Sequence, residues 1–308
     1  MKPVPLWVDC DPGIDDVLAL MYLCGRRDVE WIGISTVHGN VDATRGATNA
    51  LVALETARGP SVPVLIGVDR PLVHWSPVAE DEHGRNGLGD VVVVAPRQRP
   101  TAGLGPVQLA RAAAARPGEL VVLALGPLTN LAVALLIDPD LPRNVRELYI
   151  MGGAVHVPGN TTPAAEFNIW HDPEAAHVVL SAPWAATLVS LDVTEQALLE
   201  GEYWNALEAA QGAKARLAAL MLARWVEARR IRTGRAAAGL HDPVAAAIAL
   251  APTLAEYETT PVRVDVSQGP DRGRTSAAPD SLGFPVRCAT RLDRERFLAD
   301  FMTQITSP

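Results

Sequence analysis

Residues 8–16 read Val-Asp-Cys-Asp-Pro-Gly-Ile-Asp-Asp and continue a short apolar run at residues 6–9. A proline–glycine pair ends that run, and the stretch after it, residues 14–23, has the length and apolar spacing of a helix. The segment therefore predicts a strand that turns into a helix, with four carboxylates at the turn.

The same alternation of short apolar runs and helical stretches continues along the chain. Further runs of strand type lie at residues 31–36, 62–66, 120–125, 148–151 and 186–191. The helical stretches that follow such runs lie at residues 43–57, 108–115, 131–136 and 173–180. This order is typical of βαβ units, so we expect an α/β fold with an open, Rossmann-like and mostly parallel central sheet flanked by helices. Ligands of such sheets bind at the carboxyl ends of the strands.

The last third of the chain has a different pattern. Residues 195–231 indicate helix without an intervening strand, and two further strands are predicted at 262–266 and 284–288, around a Gly-, Pro- and Ser-rich loop at 267–280. We find no internal repeat and no convincing boundary, so residues 1–308 are predicted to form one domain. The long loop at 74–89 is of the kind that covers a site.

Composition excludes several classes of protein. The chain has 308 residues, of which 48% are hydrophobic and 20% charged, so most of it is globular and not disordered. A net charge of −8 opposes nucleic-acid binding. Cys10, Cys24 and Cys288 are an odd number without metal-ligand spacing, which favours a reducing compartment. No run approaches the roughly eighteen apolar residues of a membrane span, and residues 1–6 lack a secretory core. We expect a cytoplasmic protein without membrane or nucleic-acid partners.

The four carboxylates at residues 9, 11, 15 and 16 repel one another, and this indicates a bound cation. Oxygen ligands select a hard cation, and carboxylates with room for water suit Ca²⁺ better than Mg²⁺. Asp15 and Asp16 point about 100° apart on the helix, so we expect them to contact different partners. The alternative is a helix start with capping aspartates and no ion.

The segment resembles the N-terminal signature of the inosine-uridine preferring nucleoside hydrolases, and further motifs follow in that family's order. They are residues 36–40, His83-Gly84, Gly87-Leu88-Gly89, Gly126-Pro127-Leu128-Thr129-Asn130, Met151-Gly152-Gly153, Asn160, Ala165-Glu166-Phe167-Asn168, Asp172-Pro173-Glu174-Ala175 and His241-Asp242-Pro243. Each motif alone is weak, but together they cover the chain from Asp9 to the C-terminal strands.

The resemblance implies an enzyme that hydrolyses the N-glycosidic bond of ribonucleosides and holds one Ca²⁺ at the bottom of its pocket. Carried over by position, the metal ligands are Asp11, Asp16, Asp242 and the main-chain carbonyl of Leu125. The family often has threonine where this chain has Leu125. Because the carbonyl is the ligand, we expect this difference to leave the ion site intact.

The resemblance also implies the catalytic and substrate-binding residues. Asp11 matches the general base that takes a proton from the attacking water, and His241 matches the acid that protonates the departing base. His83 matches a second histidine at the base end of the pocket. The residues that match ribose-binding positions are Asp15, Asn40, Met151, Asn160, Glu166 and Asn168. A buried site for hydroxyl groups should reject deoxyribose.

An arginine-rich stretch at 214–235 has two interpretations: a solvated helix face packed on the domain, or a basic surface for a membrane or nucleic acid. The acidic net charge favours the first. The resemblance implies that Trp225 or Arg229 lies near the nucleobase. Trp75 and Trp170 are further candidates for stacking on the base, although burial in the core is the more common role of a tryptophan.

Two other functions remain open at this point. Asp9-Cys10-Asp11 also looks like the start of a haloacid-dehalogenase-like phosphatase, although the only lysines for a phosphate are Lys2 and Lys214. A noncatalytic nucleoside or pentose-binding protein on the same scaffold is the third possibility, but mere binding needs neither Asp11 nor His241. The resembling family forms homodimers or homotetramers. The choice of nucleobase depends on loops at 74–89 and 231–240 and is left open.

Overall fold

Nine strands form one mixed sheet in the computed structural model, which describes residues 2–74 and 78–307. In chain order the strands are β1 (Val4–Cys10), β2 (Val29–Thr36), β3 (Val64–Ile66), β4 (Leu120–Ala124), β5 (Val145–Met151), β6 (Ala186–Val189), β7 (Leu198–Glu200), β8 (Ala237–Gly239), β9 (Ala255–Val264), β10 (Thr275–Ala277) and β11 (Pro285–Leu292). The helices are α1 (Ile14–Cys24), α2 (Ala43–Thr56), α3 (Glu80–His83), α4 (Gly105–Ala115), α5 (Thr129–Ile137), α6 (Leu141–Asn144), α7 (Phe167–His171), α8 (Pro173–Leu180), α9 (Leu191–Thr194), α10 (Gly201–Ala209), α11 (Ala213–Thr233), α12 (His241–Leu250) and α13 (Arg294–Thr306).

The strand order is β10-β9-β11-β6-β5-β4-β1-β2-β3. Every neighbouring pair from β11 to β3 is parallel, whereas β9 pairs antiparallel with β11 and with β10. β7 and β8 form a separate antiparallel pair. The mostly parallel sheet flanked by helices, predicted from the alternating pattern, is confirmed.

The position of β1 decides where a ligand can bind. β1 lies between β2 and β4, so the chain leaves β1 toward one edge of the sheet and later returns to its other side. In open α/β sheets this switch point opens a crevice at the carboxyl ends of the strands. Asp11 and the start of α1 therefore lie at the edge of that crevice.

Alternate side chains of β1 enter two hydrophobic cores. Leu6, Val8 and Cys10 pack on the side of α1, α2, α12 and α13, while Trp7 packs on the side of α4, α5 and α8. α1 packs against α2, α12 and α13, and its residues from Ile14 to Leu23 are buried. A helix buried on all sides holds its first turn firmly, which matters because that turn carries Asp15 and Asp16.

The sequence pattern missed several elements. The region 195–231 was expected to be helical throughout, but β7 lies within it and pairs with β8. A strand of three residues is too short to show a period-2 pattern, so only its pairing reveals it. The predicted loop at 267–280 likewise contains the three residues of β10. In the part of the chain that the structure describes, no helix combines the length and apolarity needed to cross a membrane.

Candidate active site

The turn from β1 into α1 is held by the side chain of Asp16. Its Oδ1 accepts a hydrogen bond from the backbone N–H of Asp11 at 3.1 Å, and its Oδ2 accepts one from that of Gly13 at 3.0 Å. These bonds satisfy backbone donors that a helix start leaves without partners. The local sequence thus fixes Asp11 just beyond the strand, at the mouth of the crevice.

Asn40, which follows β2, connects this turn to the neighbouring strand. Its backbone N–H donates to Oδ2 of Asp11 at 2.7 Å, and its Nδ2 donates to Oδ2 of Asp16 at 3.1 Å. The other oxygen of Asp11, Oδ1, is buried and has no hydrogen-bond partner among the described residues. Two glycines leave space around this carboxylate. A Cβ on Gly39 would lie 2.0 Å from its Oδ2, and a Cβ on Gly126 would lie 2.6 Å from its Oδ1.

Carboxylates from opposite ends of the chain meet at this point. Asp15, Asp16 and Asp242 each offer an oxygen within 4.8 Å of the others, and Asp242 is the second residue of α12. Asp11 lies within hydrogen-bonding reach of Asp16. All four are buried, so the N-termini of α1 and α12 bring four acidic groups into one small volume.

The electrostatics of this cluster favour the binding of a cation. Burial first, and then the neighbouring carboxylates, raise the pKa of Asp11 and of Asp242 well above the usual range. The same causes raise the pKa of Asp15 to about 8. Asp15 Oδ1, like Asp11 Oδ1, is buried without a partner in the described part of the chain. Repelling buried carboxylates with unpartnered oxygens fit a hard divalent cation.

Leu125 ends the neighbouring strand region and presents its carbonyl to the same space. The Nδ2 of Asn168 donates to that carbonyl at 2.6 Å and to the carbonyl of Met151 at 3.2 Å. A carbonyl oxygen has two lone pairs, so this bond leaves one direction for an ion. The donor set of carboxylates and one carbonyl therefore fits the predicted ligands.

Asp9 is the exception among the four motif carboxylates. It lies on the other face of β1, where its Oδ1 accepts hydrogen bonds from the hydroxyl of Ser35 and, at 2.7 Å, from Nδ2 of Asn130. Burial raises its pKa to about 7. Asp9 has these partners because it lies within β1, on the same face as Trp7, whereas Asp11, Asp15 and Asp16 lie beyond the end of that strand.

A cavity of about 350 Å³ lies above the carboxylates. Among its lining residues are the following predicted site residues: Asp15, Asn40, His83, Leu125, Met151, Asn160, Glu166, Asn168, His241 and Asp242. Asp11 and Asp16 are fully buried. The structure thus gathers the predicted residues around one cavity and its floor.

The predicted ribose-binding residues also hold one another. Glu166 caps α7: its Oε1 accepts from the backbone of Asn168 at 2.9 Å, and its Oε2 accepts from that of Ile169 at 3.1 Å and of Gly153 at 2.9 Å. Asn160 is exposed, and its Oδ1 accepts from the backbone of Phe167 at 2.9 Å. This wall of the cavity is therefore rigid at Glu166 and open at Asn160.

His83 closes another wall. Its Nδ1 accepts a hydrogen bond from the backbone N–H of Ile14 at 3.0 Å, so the ring is neutral with its hydrogen on Nε2. Burial, followed by the charges of His241 and Arg224, lowers its pKa to about 3. Trp225 meets the ring edge to face, with the centroids 5.2 Å apart, and donates its Nε1–H to the carbonyl of Glu82 at 2.9 Å. His83 is a neutral donor, not a charged group.

His241, at the start of α12, is half-buried and makes one contact that the sequence did not reveal. Its Nδ1 lies 2.8 Å from Oγ1 of Thr194. Burial first, and then the charge of Arg229, lower the pKa of His241 to about 4. Thr194 was missed because a single threonine carries no pattern; Glu82 and Glu195, which also line the cavity, were missed for the same reason.

The aromatic and arginine candidates separate into two groups. Trp225 and Arg229 of α11 line the cavity, as the resemblance implied. Trp170 packs edge-on against the ring of His171 instead, with the centroids 5.3 Å apart. Trp75 lies outside the described residues.

Comparison with known proteins agrees with this geometry. Residues 6–299 match the model of a family described as inosine-uridine preferring nucleoside hydrolase. The chain is 37% identical to uridine nucleosidase 1 of Arabidopsis thaliana, over 89% of this chain and 82% of the relative. It is 32% identical to the inosine-uridine preferring nucleoside hydrolase of Crithidia fasciculata, over 99% of each. The solved structure of the plant nucleoside hydrolase PpNRh1 superposes with a TM-score of 0.95 at 31% identity, over 100% of both chains.

Proposed function

The chain belongs to the inosine-uridine preferring nucleoside hydrolase family and hydrolyses the N-glycosidic bond of ribonucleosides, and we propose that Asp11 and His241 carry out this reaction over a bound Ca²⁺. The single observation that carries the assignment of residues is the cavity of about 350 Å³, with a carboxylate floor and a histidine wall. Products are ribose and the free nucleobase.

Asp11 is the general base in this proposal. Asn40 holds its Oδ2 with a bond of 2.7 Å, which leaves Oδ1 to take a proton from the attacking water. The proton moves from the water to Oδ1 as the oxygen bonds to C1′.

The family is metal-dependent, and we propose Ca²⁺ as the ion, held by Asp11, Asp16, Asp242 and the carbonyl of Leu125. When bound, the ion supplies positive charge that lowers the pKa of water beside Asp11. Asp15 lies close to Asp16 and Asp242 and also lines the cavity. We therefore propose that it lies beside the ion and binds a ribose hydroxyl.

The ribose is bound by the polar wall made of Asp15, Asn40, the Met151 backbone, Asn160, Glu166 and Asn168. Carboxylates and amides accept and donate in fixed directions, which suits a pair of neighbouring hydroxyl groups. Glu166 and Asn168 are already oriented by backbone hydrogen bonds, so little order has to be gained when the sugar binds.

The nucleobase then lies toward Trp225, His83 and His241. The bond from C1′ to nitrogen breaks with its electron pair going to the base, and His241 gives that nitrogen a proton. His83, which keeps a hydrogen on Nε2, donates a hydrogen bond at the same end of the cavity.

The two alternative functions, a phosphatase and a noncatalytic nucleoside- or pentose-binding protein, lose support. A phosphatase needs a cation for the phosphate, but Lys214 is buried against the carbonyl of Gln304 at 2.5 Å and Lys2 is exposed near the N-terminus. A noncatalytic binding protein does not need a buried Asp11 oxygen that is left free to accept a proton.

Three further points are proposals of the same kind. We propose one domain over residues 1–308, because strands from both halves of the chain share one sheet. We propose a cytoplasmic location, because Cys10, Cys24 and Cys288 are all free thiols. We propose a homodimer or homotetramer, on the family resemblance.

A panel of ribonucleosides tests the function. Purified protein with Ca²⁺ is incubated with inosine, uridine, adenosine and cytidine, and reducing sugar and free base are quantified with and without inorganic phosphate. We expect ribose in both conditions. Formation of ribose 1-phosphate only when phosphate is present, or release of phosphate from nucleotides, would contradict the proposal.

A further inference from the structure

The ring of His241 is contacted by a residue that does not reach the substrate cavity. Thr194 is fully buried, and its Oγ1 lies 2.8 Å from Nδ1 of His241, across a sequence separation of 47 residues. Thr194 is not among the residues that line the cavity, whereas His241 is. Any effect of Thr194 on the reaction must therefore act through the histidine.

The short helix α9, which carries Thr194, is held in place by residues that do not line the cavity. The backbone N–H of Leu191 donates to the carbonyl of Gly153 at 2.9 Å. Asp192 accepts from the backbone of Val155 at 2.9 Å, from that of His156 at 2.8 Å, and from the hydroxyl of Ser190 at 2.8 Å. The Thr194 hydroxyl is thus presented from a rigid segment.

The opposite edge of the imidazole faces a glycine. A Cβ placed on Gly239 would lie only 2.9 Å from Nε2 of His241, and Gly239 lines the cavity. The next residue, Leu240, donates its backbone N–H at 3.2 Å to the carbonyl of Ala197, which lies three residues after α9 and donates its own N–H to the carbonyl of Thr194 at 3.1 Å. The ring therefore lies between a hydroxyl at Nδ1 and the open side of Gly239 at Nε2.

We propose that Thr194 is a positioning residue that accepts the Nδ1–H of His241 and so reserves Nε2 for proton transfer to the departing nucleobase. This inference rests on the proposed role of His241. The resting ring carries its hydrogen on Nδ1, and Nε2 takes up a proton from solvent before the reaction, so that both ring nitrogens then carry a hydrogen. As the bond from C1′ to nitrogen breaks and its electron pair passes to the base, the proton moves from Nε2 to the base nitrogen, and the ring is left neutral with its remaining hydrogen on Nδ1, still bonded to Thr194.

Without this contact the ring can rotate about the bond from Cβ to the ring. A turned ring no longer points Nε2 at the base nitrogen, so the acid is lost from that position although the histidine is still present. The predicted loss is specific to leaving groups that need a proton. A riboside with an activated leaving group, 4-nitrophenyl riboside, departs without one.

The experiment compares Thr194→Val with Thr194→Ser, Thr194→Ala and His241→Ala, using inosine, uridine and 4-nitrophenyl riboside as substrates. Valine keeps nearly the shape of threonine but has no hydroxyl. Thr187→Val is the matched control, since Thr187 is also a buried threonine, but its hydroxyl accepts from Nε of Arg287 at 2.9 Å and not from a residue of the cavity. Melting temperatures are measured for every variant.

We expect Thr194→Val to lower kcat on inosine and uridine by about 10- to 100-fold, with KM changed by less than about threefold, because misplacing a catalytic group has effects of this size. Turnover of 4-nitrophenyl riboside should stay within about twofold of the unmodified protein. Thr194→Ser should restore most of the loss, and Thr194→Ala should repeat the substrate split even if valine fails to fold. Thr187→Val should leave both kinds of substrate unchanged.

Two results overturn the proposal in distinguishable ways. In the first, His241→Ala loses turnover of inosine and uridine but not of 4-nitrophenyl riboside, whereas Thr194→Val and Thr194→Ala lose all three substrates equally or lose none. That result would mean that Thr194 does not position the acid. A His241→Ala variant that loses all three substrates equally would refute the leaving-group role of His241 itself, and the role of Thr194 with it.

Discussion

Asn40 donates its backbone N–H to Oδ2 of Asp11 at 2.7 Å, while Oδ1 of the same carboxylate is buried without a partner among the residues that the structure describes. One oxygen is held and the other is available. This asymmetry gives a carboxylate a fixed direction for accepting a proton, which is what a general base requires.

Replacing Asp11 should damage hydrolysis of every riboside. Because the attacking water is needed whatever the leaving group, Asp11→Ala should lower kcat on inosine, uridine and 4-nitrophenyl riboside alike, by about 10²- to 10⁴-fold. Steady-state kinetics with the three substrates measures this. Asp300→Asn, at a carboxylate bonded to Tyr22 and Arg26, is the control with unchanged turnover. Survival of 4-nitrophenyl riboside hydrolysis in Asp11→Ala would argue against a general base at this position.

The ion site should depend on a carboxylate from the far end of the chain and not on the Leu125 side chain. We expect Asp242→Ala to weaken Ca²⁺ binding by about 100-fold or more, since even outer partners of metal ligands contribute 10- to 100-fold. Leu125→Thr keeps the carbonyl and should change the affinity by less than about threefold. Isothermal titration of chelator-treated protein gives both values. Active protein that contains no divalent metal would contradict the site.

Stability of the metal-free protein should fall as pH rises. Asp15 has a pKa of about 8 in the folded protein because of burial and of Asp16, against an ordinary value of 3.8. The folded state therefore holds this proton where the unfolded chain has lost it, and the stabilisation disappears as pH rises through about 8. Ordinary histidines have a pKa near 6.5 and are mostly neutral by about pH 7.5, so above that pH the carboxylates dominate.

Thermal unfolding in chelator and in Ca²⁺, at pH 6.5, 7.5 and 8.5, measures this dependence. The melting temperature in chelator should drop over this range, and Ca²⁺ should reduce the drop because the ion binds the deprotonated carboxylates. Asp15→Asn removes one titrating group and should flatten the chelator curve. A melting temperature that increases with pH in chelator would show that the cluster carries no such protons.

A methyl group at Gly239 should displace the His241 ring. The added Cβ would lie 2.9 Å from Nε2, closer than such contacts occur, so the ring must move. We expect Gly239→Ala to reduce inosine turnover more than 4-nitrophenyl riboside turnover. Gly212→Ala is the control, because its nearest atoms would lie at 3.6 Å or beyond. Equal turnover by Gly239→Ala and the unmodified protein would mean that the ring position is not critical.

Deoxyribonucleosides should be rejected. Asn168 and Glu166 are buried, and a site built for hydroxyl groups leaves its polar atoms unpaired when a hydroxyl is missing. We expect kcat/KM for 2′-deoxyuridine to be about 10⁴-fold below that for uridine. Competition between the two substrates, followed by chromatography of the bases, gives the ratio. A ratio near one would remove the 2′-hydroxyl from the proposed ribose contacts.

The sequence alone predicts those parts of the site whose residues are close together in the chain. Asp11, Asp15 and Asp16 share one strand-to-helix turn, so apolar spacing and turn residues were enough to bring them together. Asp242 joins them only through the packing of α12 against α1, which no local pattern encodes, and the family resemblance supplied it.

Other residues show why single side chains are hard to place from sequence. Lys214 was expected on a solvated helix face, but it is buried because its ammonium donates to the carbonyl of Gln304 at 2.5 Å and to the hydroxyl of Ser307 at 2.8 Å. These acceptors lie at the C-terminal end of α13, where a helix attracts positive charge. Thr194 gave no signal, since its partner His241 lies far along the chain.

The contact between α1 and α12 also determines when the proposed ion site can form during synthesis. Asp15 and Asp16 leave the ribosome early, but Asp242 follows only after most of the sheet strands have been made. A nascent or truncated chain that ends before α12 lacks a carboxylate of the cluster and carries only part of its charge. The proposed ion site is therefore complete only after α12 has packed against α1, so binding of the ion would mark the molecules whose first and last thirds have come together.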